Sequence, residues 1–117
     1  MYMIMFVLND TDNFDEVIEA WNDIGVNRIT VMLSTGLGKL RKAALRDDIP
    51  LIPSMDDLIA HSEIASRTLY TVVKNEEIID QLVSQTEKVI GDLNQPNTGV
   101  IFVFPVARAY GLDKQKT

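Results

Sequence analysis

The fold is decided by residues 1–33, which read MYMIMFVLNDTDNFDEVIEAWNDIGVNRITVML. The apolar, β-prone run 1–8 predicts a strand, and the polar cluster 9–12 that follows it predicts a turn. Apolar residues then recur at helical spacing over about residues 13–24. Residues 28–33 are rich in β-branched side chains and predict a second strand. The N-terminal third of the chain therefore predicts a β-α-β unit.

Both ends of the predicted helix carry terminal signals. Asn13 is followed three residues later by Glu16, a spacing compatible with a capping box. Gly25 stands just after the last apolar position, where a glycine that ends a helix is expected. We therefore expect Asn13 to cap the helix and Gly25 to terminate it.

The same β-α-β pattern returns after residue 66. Residues 68–73 predict a strand, Asn75 predicts a helix cap, 94–99 predict a turn and 100–106 predict a fourth strand. The intervening segment has these apolar residues at helical spacing: Ile78, Ile79, Leu82, Val83, Val89 and Ile90. The sequence thus predicts an α+β, ferredoxin-like βαββαβ domain, with one four-stranded antiparallel sheet and two helices on one face.

The composition restricts the function classes. A chain of 117 residues with 46% apolar and 24% charged residues predicts one folded domain over 1–117. Without cysteine there is no disulfide, thiolate metal site or cysteine nucleophile. The net charge of −6 opposes general nucleic-acid binding. The apolar N-terminal run of eight residues is too short for a membrane span and lacks the flanks of a signal peptide, so a cytoplasmic location is expected.

Two strands predict self-association. Residues 1–8 and 100–106 are almost continuously apolar, which is typical of strands buried on both faces. Two helices cover only one face of a four-stranded sheet, so association through the open face is expected. The alternative, that the segment between the two halves folds over this face, stays open.

That segment, the insert 35–66, is long for a plain connection. Its apolar residues lie among good helix formers, and Pro50 and Pro53 interrupt it, so two short helices are predicted. We expect the insert to dock on a protein partner, and whether that partner is a membrane protein is left open. The docking candidates are Leu40, Arg41, Leu45 and Arg46.

Two segments resemble the nitrogen-regulatory PII family. Residues 29–39, ITVMLSTGLGK, are similar to its second strand where it enters the base of a long loop. Residues 99–108, GVIFVFPVAR, are similar to its last strand. The resemblance extends over roughly residues 1–110. It implies a trimer that acts in signal transduction, with effectors bound in clefts between subunits.

Departures from the family pattern argue against its usual effectors. The family holds nucleotide phosphates with a lysine and two arginines, and those positions are Val100, Gly111 and Asp113 here. The loop glutamine that helps to organise magnesium and 2-oxoglutarate corresponds to Leu40. Adenine nucleotide is therefore disfavoured, and no cofactor is assigned. A ligand of lower charge is expected near Thr30, Gly36, Gly38, Lys39, Gly99 and Arg108.

Simpler explanations compete with these assignments. A lone Gly-x-Gly can merely turn the chain out of a strand. The basic residues of the insert precede Asp47 and Asp48, as in a solvated helix with local salt bridges. His61 is the sole histidine, so a multi-histidine metal site within one chain is excluded.

The sequence contains no recognisable catalytic constellation, and we expect a regulatory protein rather than an enzyme. The expected function is a homotrimeric sensor that binds a small effector or a protein partner, with no nucleic acid among its partners. Two alternatives remain. One is a small-molecule or metal-binding trimer similar to copper-tolerance proteins, and the other is a purely structural oligomerisation module.

Overall fold

The computed structural model describes residues 1–37 and 65–112. In chain order the elements are β1 (Tyr2–Leu8), a 3-10 turn (Thr11–Asn13), α1 (Phe14–Asp23), β2 (Thr30–Thr35), β3 (Ala65–Val73), α2 (Glu76–Ile90) and β4 (Gly99–Pro105). The strands form one antiparallel sheet in the order β2-β3-β1-β4. This order is that of a βαββαβ ferredoxin-like domain, and the predicted α+β fold is confirmed.

The core lies between the sheet and the two helices. Alternate residues of β1, Ile4, Phe6 and Leu8, are fully buried beneath the helices. Phe6 packs against Trp21 of α1 with ring centroids 5.9 Å apart. The two helices are also joined by a buried hydrogen bond, in which Trp21 Nε1 donates to Thr86 Oγ1 at 2.8 Å. The alternation of β1 and the apolar faces of the helices thus meet in one layer.

The other face of the sheet carries exposed apolar side chains that no described helix covers. Residues directly opposite in an antiparallel pair share a face, so Met3 and Met5 of β1 lie beside Phe104 and Phe102 of β4. Phe102 is 43% exposed and Phe104 is 40% exposed, and their ring centroids are 6.4 Å apart. Neither described helix lies on this surface, which we call the open face. These exposed aromatic side chains are the apolar surface for which the sequence predicts burial on the second face of the sheet.

The helix-end predictions are right at two positions and wrong at one. Asn75 caps α2, because its Oδ1 accepts the Ile78 backbone N–H at 3.0 Å. Gly25 follows α1 with φ +88, a conformation that favours glycine. Asn13, however, makes no side-chain cap hydrogen bond. Asp10 instead accepts the Asp12 N–H at 3.0 Å and starts the 3-10 turn that leads into α1.

The boundaries of the insert differ from the predicted 35–66. Thr35 is the last residue of β2, Ala65 is the first of β3, and these two residues pair with each other. Ser66 is likewise a strand residue, so the strand pair extends further than the sequence pattern indicates. The predicted helices of the insert lie outside the described residues, as do the docking candidates Leu40, Arg41, Leu45 and Arg46.

Candidate functional site

A broad cleft opens at the end of the sheet where β1 begins. Its volume is about 1260 Å³, and its lining combines aromatic, aliphatic and basic side chains. Thr30, the first residue of β2, lies directly opposite Tyr70 of β3, and both line the cleft. The antiparallel pairing of β2 with β3 therefore brings together residues that are far apart in sequence.

The C-terminal segment forms one wall of this cleft. After β4 the backbone N–H of Val106 donates to the Met1 carbonyl at 3.1 Å. The chain then crosses to the start of β2, where Arg28 Nη1 donates to the Leu112 carbonyl at 2.7 Å. Ala109 and Leu112 line the cleft. The Arg28 hydrogen bond thus joins the last described residue to the first residues of the opposite edge of the sheet.

The charge of the lining is positive. Arg28 and Lys74 both line the cleft, and none of the described lining residues is acidic. Nearby, the Tyr2 hydroxyl donates to Glu76 Oε1 at 3.2 Å. This hydrogen bond, together with the carboxylate charge, raises the pKa of Tyr2. The cleft is therefore suited to a ligand with an apolar or aromatic body and a negative or polar group.

The predicted ligand residues do not gather at one place within the chain. Thr30 lines the cleft, and Arg108 lies in the C-terminal segment beside it without lining it. Gly36 and Gly99 lie at the other end of the sheet, because Gly36 follows β2 and Gly99 begins β4. Neighbouring strands are about 4.8 Å apart, so the two edge strands are separated by about 14 Å. Gly38 and Lys39 lie outside the described residues.

Gly99 has a structural explanation of its own. A Cβ atom at this position would lie 2.5 Å from the Val7 carbonyl oxygen and 2.8 Å from Phe6 Cε1. The absence of a side chain therefore lets β4 approach β1. A Cβ atom on Gly36 would meet nothing within 4 Å, so packing against the described residues does not require glycine there. Of these two glycines, Gly36 is the better ligand candidate.

A cluster of hydroxyl groups lies on the open face between β2 and β3. Ser34 Oγ is 2.8 Å from Ser66 Oγ and 2.9 Å from Thr68 Oγ1. Ser66 is only 2% exposed, so these hydroxyls partner one another away from solvent. This cluster was not predicted from the sequence, although small hydroxyl residues at alternate positions of β3 are a signal for it.

Arg28, Tyr70 and Lys74 were also not predicted as site residues. Each lies outside the two segments that carry the family resemblance or at their margin, and no local motif marks it. As for metals, the described part of the chain contains no group of three or more His, Cys, Asp or Glu side chains that could hold an ion.

A family model matches nearly the whole chain. The model described as nitrogen regulatory protein P-II matches residues 1–116. Among curated proteins, none matches the chain. Within the described residues no helix has the length and apolar character needed to cross a membrane.

Proposed function

Because the chain belongs to the nitrogen regulatory protein P-II family, we propose that it is a cytoplasmic regulatory protein that binds a small effector and signals to a protein partner. The family match over residues 1–116 is the observation that carries this proposal. The cleft beside Thr30 supports it, because a positively charged cavity with apolar walls is suited to an effector. The insert is the proposed partner-docking element.

The working form of the protein is a homotrimer assembled through the open face. Members of the family typically form homotrimers. The apolar side chains of Met3, Met5, Phe102 and Phe104 support this arrangement, because a patch of this kind on a single chain is an interaction surface. A trimer also offers a way to bring Gly36 of one copy near Gly99 of another, since these residues stand at opposite edges of the sheet.

The effector is not expected to be a nucleoside triphosphate. Val100 is 41% exposed on the open face, and it offers no hydrogen bond to a phosphate. Gly111 carries no side chain beside the cleft, and Asp113, the third substituted position, is acidic. Each missing charged hydrogen bond corresponds to about 1.5–3 kcal/mol, and about 1.4 kcal/mol is a tenfold change in affinity. Arg28 and Lys74 are the two basic residues in the described lining of the cleft. Two positive charges suit a ligand with less negative charge than a nucleoside triphosphate.

Isothermal titration with ATP, with and without magnesium, tests this part of the proposal. We expect no binding tighter than about millimolar, because the three missing donors remove several kcal/mol. A micromolar dissociation constant would show that Arg28 and Lys74, or other cations, replace those donors. The thermal stability of the same sample, measured by circular dichroism, verifies that the titrated protein is folded.

The partner-docking role of the insert is tested with the full chain. The variant Leu40→Ala, Arg41→Ala, Leu45→Ala, Arg46→Ala should lose capture of partner proteins in a pull-down while its mass by light scattering stays that of the wild type. If capture persists at the wild-type level, the insert is not the docking element.

The remaining alternatives predict different results. Native mass spectrometry of the purified protein reports bound small molecules or metal ions directly. A tightly bound metal would favour the copper-tolerance type of protein. A trimer that carries neither ligand nor partner would favour a structural oligomerisation module.

A further inference from the structure

A groove runs along the outer side of α1, next to the segment that enters β2. Its floor is apolar and is formed by Ile18, Val26 and Ile29. Asp15 and Glu19, one helical turn apart on α1, stand at its rim. The groove has a volume of about 360 Å³, which suits a few side chains rather than a large cofactor. It lies on the helix side of the sheet, so assembly through the open face leaves it accessible.

Both charged residues that line the groove, Asp15 and Glu19, are acidic. Every charged residue of α1 is acidic, and these residues are Asp15, Glu16, Glu19 and Asp23. Two described cations on neighbouring segments have other contacts. Arg67 stacks on the Phe14 ring at 4.5 Å, and Arg28 donates to the Leu112 carbonyl. Neither of these two described cations pairs with Asp15 or Glu19, so within the described part of the chain the rim carboxylates can receive a positively charged occupant.

The adjacent edge strand adds apolar surface. Val31 of β2 faces the helix layer, since it lies opposite the core residue Leu69, yet it is 38% exposed. Among the described strands only β3 pairs with β2. Two helices do not fully cover four strands, and the apolar strip at this edge is the part of β2 that α1 leaves uncovered.

We propose that this groove docks a basic segment of a protein partner, with aliphatic side chains on the floor and lysine or arginine side chains against Asp15 and Glu19. Charge complementarity selects this occupant, because the same carboxylates repel nucleic acid and anionic membranes. The site is separate from the proposed docking role of the insert. It shares Val26, Asn27 and Ile29 with the wall of the effector cleft, so an occupant contacts the segment that also lines the cleft.

Fluorescence polarisation tests the proposal on the full chain. The probe is a fluorescein-labelled peptide of alternating lysine and leucine. The variant Asp15→Lys, Glu19→Lys should bind it at least about tenfold more weakly than the wild type, because both rim charges are reversed. The matched control is Glu77→Lys, Asp80→Lys, which changes the net charge equally on exposed positions of α2 and should leave the affinity within about twofold.

Three results would overturn the proposal. Equal weakening in both variants would mean that general attraction to an acidic protein explains the binding. Equal affinity of the wild type for a lysine–serine peptide would mean that the apolar floor is not used. Chemical-shift changes on peptide addition to the isotope-labelled wild type should centre on Asp15, Ile18 and Glu19, and changes centred on the open face or absent altogether would place the peptide elsewhere.

Discussion

Thr86 connects the two helices through a single hydroxyl group. Its Oγ1 accepts the indole N–H of Trp21 at 2.8 Å and donates to the Leu82 carbonyl at 2.7 Å. Both Trp21 and Thr86 are fully buried. A threonine on the apolar side of a helix would ordinarily be a weak choice, and here it satisfies a donor that has no access to water.

Thr86→Val should therefore destabilise the fold although it preserves the shape of the side chain. The indole N–H would be left buried without a partner, and the free energy of unfolding should fall by about 1–3 kcal/mol. Urea denaturation followed by circular dichroism measures the change. Thr86→Ser, which keeps the hydroxyl, should lose less. Equal losses in the two variants would mean that packing, and not the hydrogen bond, is responsible.

Gly36 and Gly99, the two described glycines among the ligand candidates, should respond differently to substitution by alanine. Gly99→Ala places a Cβ atom 2.5 Å from the Val7 carbonyl oxygen, so the strands must move apart. We expect a loss of about 1–3 kcal/mol in the free energy of unfolding, as in overpacked cores. A Cβ atom at Gly36 would contact none of the described residues, so Gly36→Ala should leave stability nearly unchanged. Comparable melting temperatures for the two variants would contradict this structural role for Gly99.

The candidate site could be predicted only in part from the sequence. Thr30 was found through a local motif that leads into the loop. Tyr70 and Lys74 belong to β3 and its end, and only the pairing of β2 with β3 brings them beside Thr30. Arg28 contacts Leu112, 84 residues away, through a hydrogen bond that no local pattern indicates.

Each α-helix is preceded by an asparagine, and the two asparagines should contribute differently to the stability of their helices. Asn75→Ala removes the acceptor for the Ile78 N–H and should destabilise α2 by about 1 kcal/mol. Asn13→Ala removes no side-chain cap bond and should have a smaller effect. Thermal unfolding of both variants gives the comparison. A larger loss for Asn13→Ala would mean that Asn13 stabilises the start of α1 although its side chain makes no cap hydrogen bond.

The periodicity of the sequence was sufficient for the type and order of all the described helices and strands. The periodicity did not predict the residues at which these elements begin and end. The start of α1 follows a 3-10 turn that Asp10 caps, whereas Asn13, directly before α1, makes no side-chain cap bond. The ends of β2 and β3 depend on the pair Thr35–Ala65, and pairing between distant segments leaves no periodic signal.

For the whole molecule, the proposed trimer places the open face between subunits. Phe102→Asp puts a charge on this apolar surface and should convert the proposed trimer to smaller species. Light scattering at micromolar concentration should report about three chain masses for the wild type and a lower mass for the variant. Gln81→Asp, on the exposed surface of α2, is the control and should remain trimeric. A monomeric wild type would refute assembly through the open face.

Trp21 is the single tryptophan of the chain, and it is sealed between the sheet and the helices, on the side away from the open face. Its fluorescence emission spectrum therefore reports on tertiary structure and should not change when the chains associate. Dilution that dissociates the proposed trimer should leave the emission wavelength unchanged, whereas unfolding should shift it to the red as water reaches the indole. Tryptophan emission thus reports folding alone, and light scattering of the same unlabelled sample reports association separately.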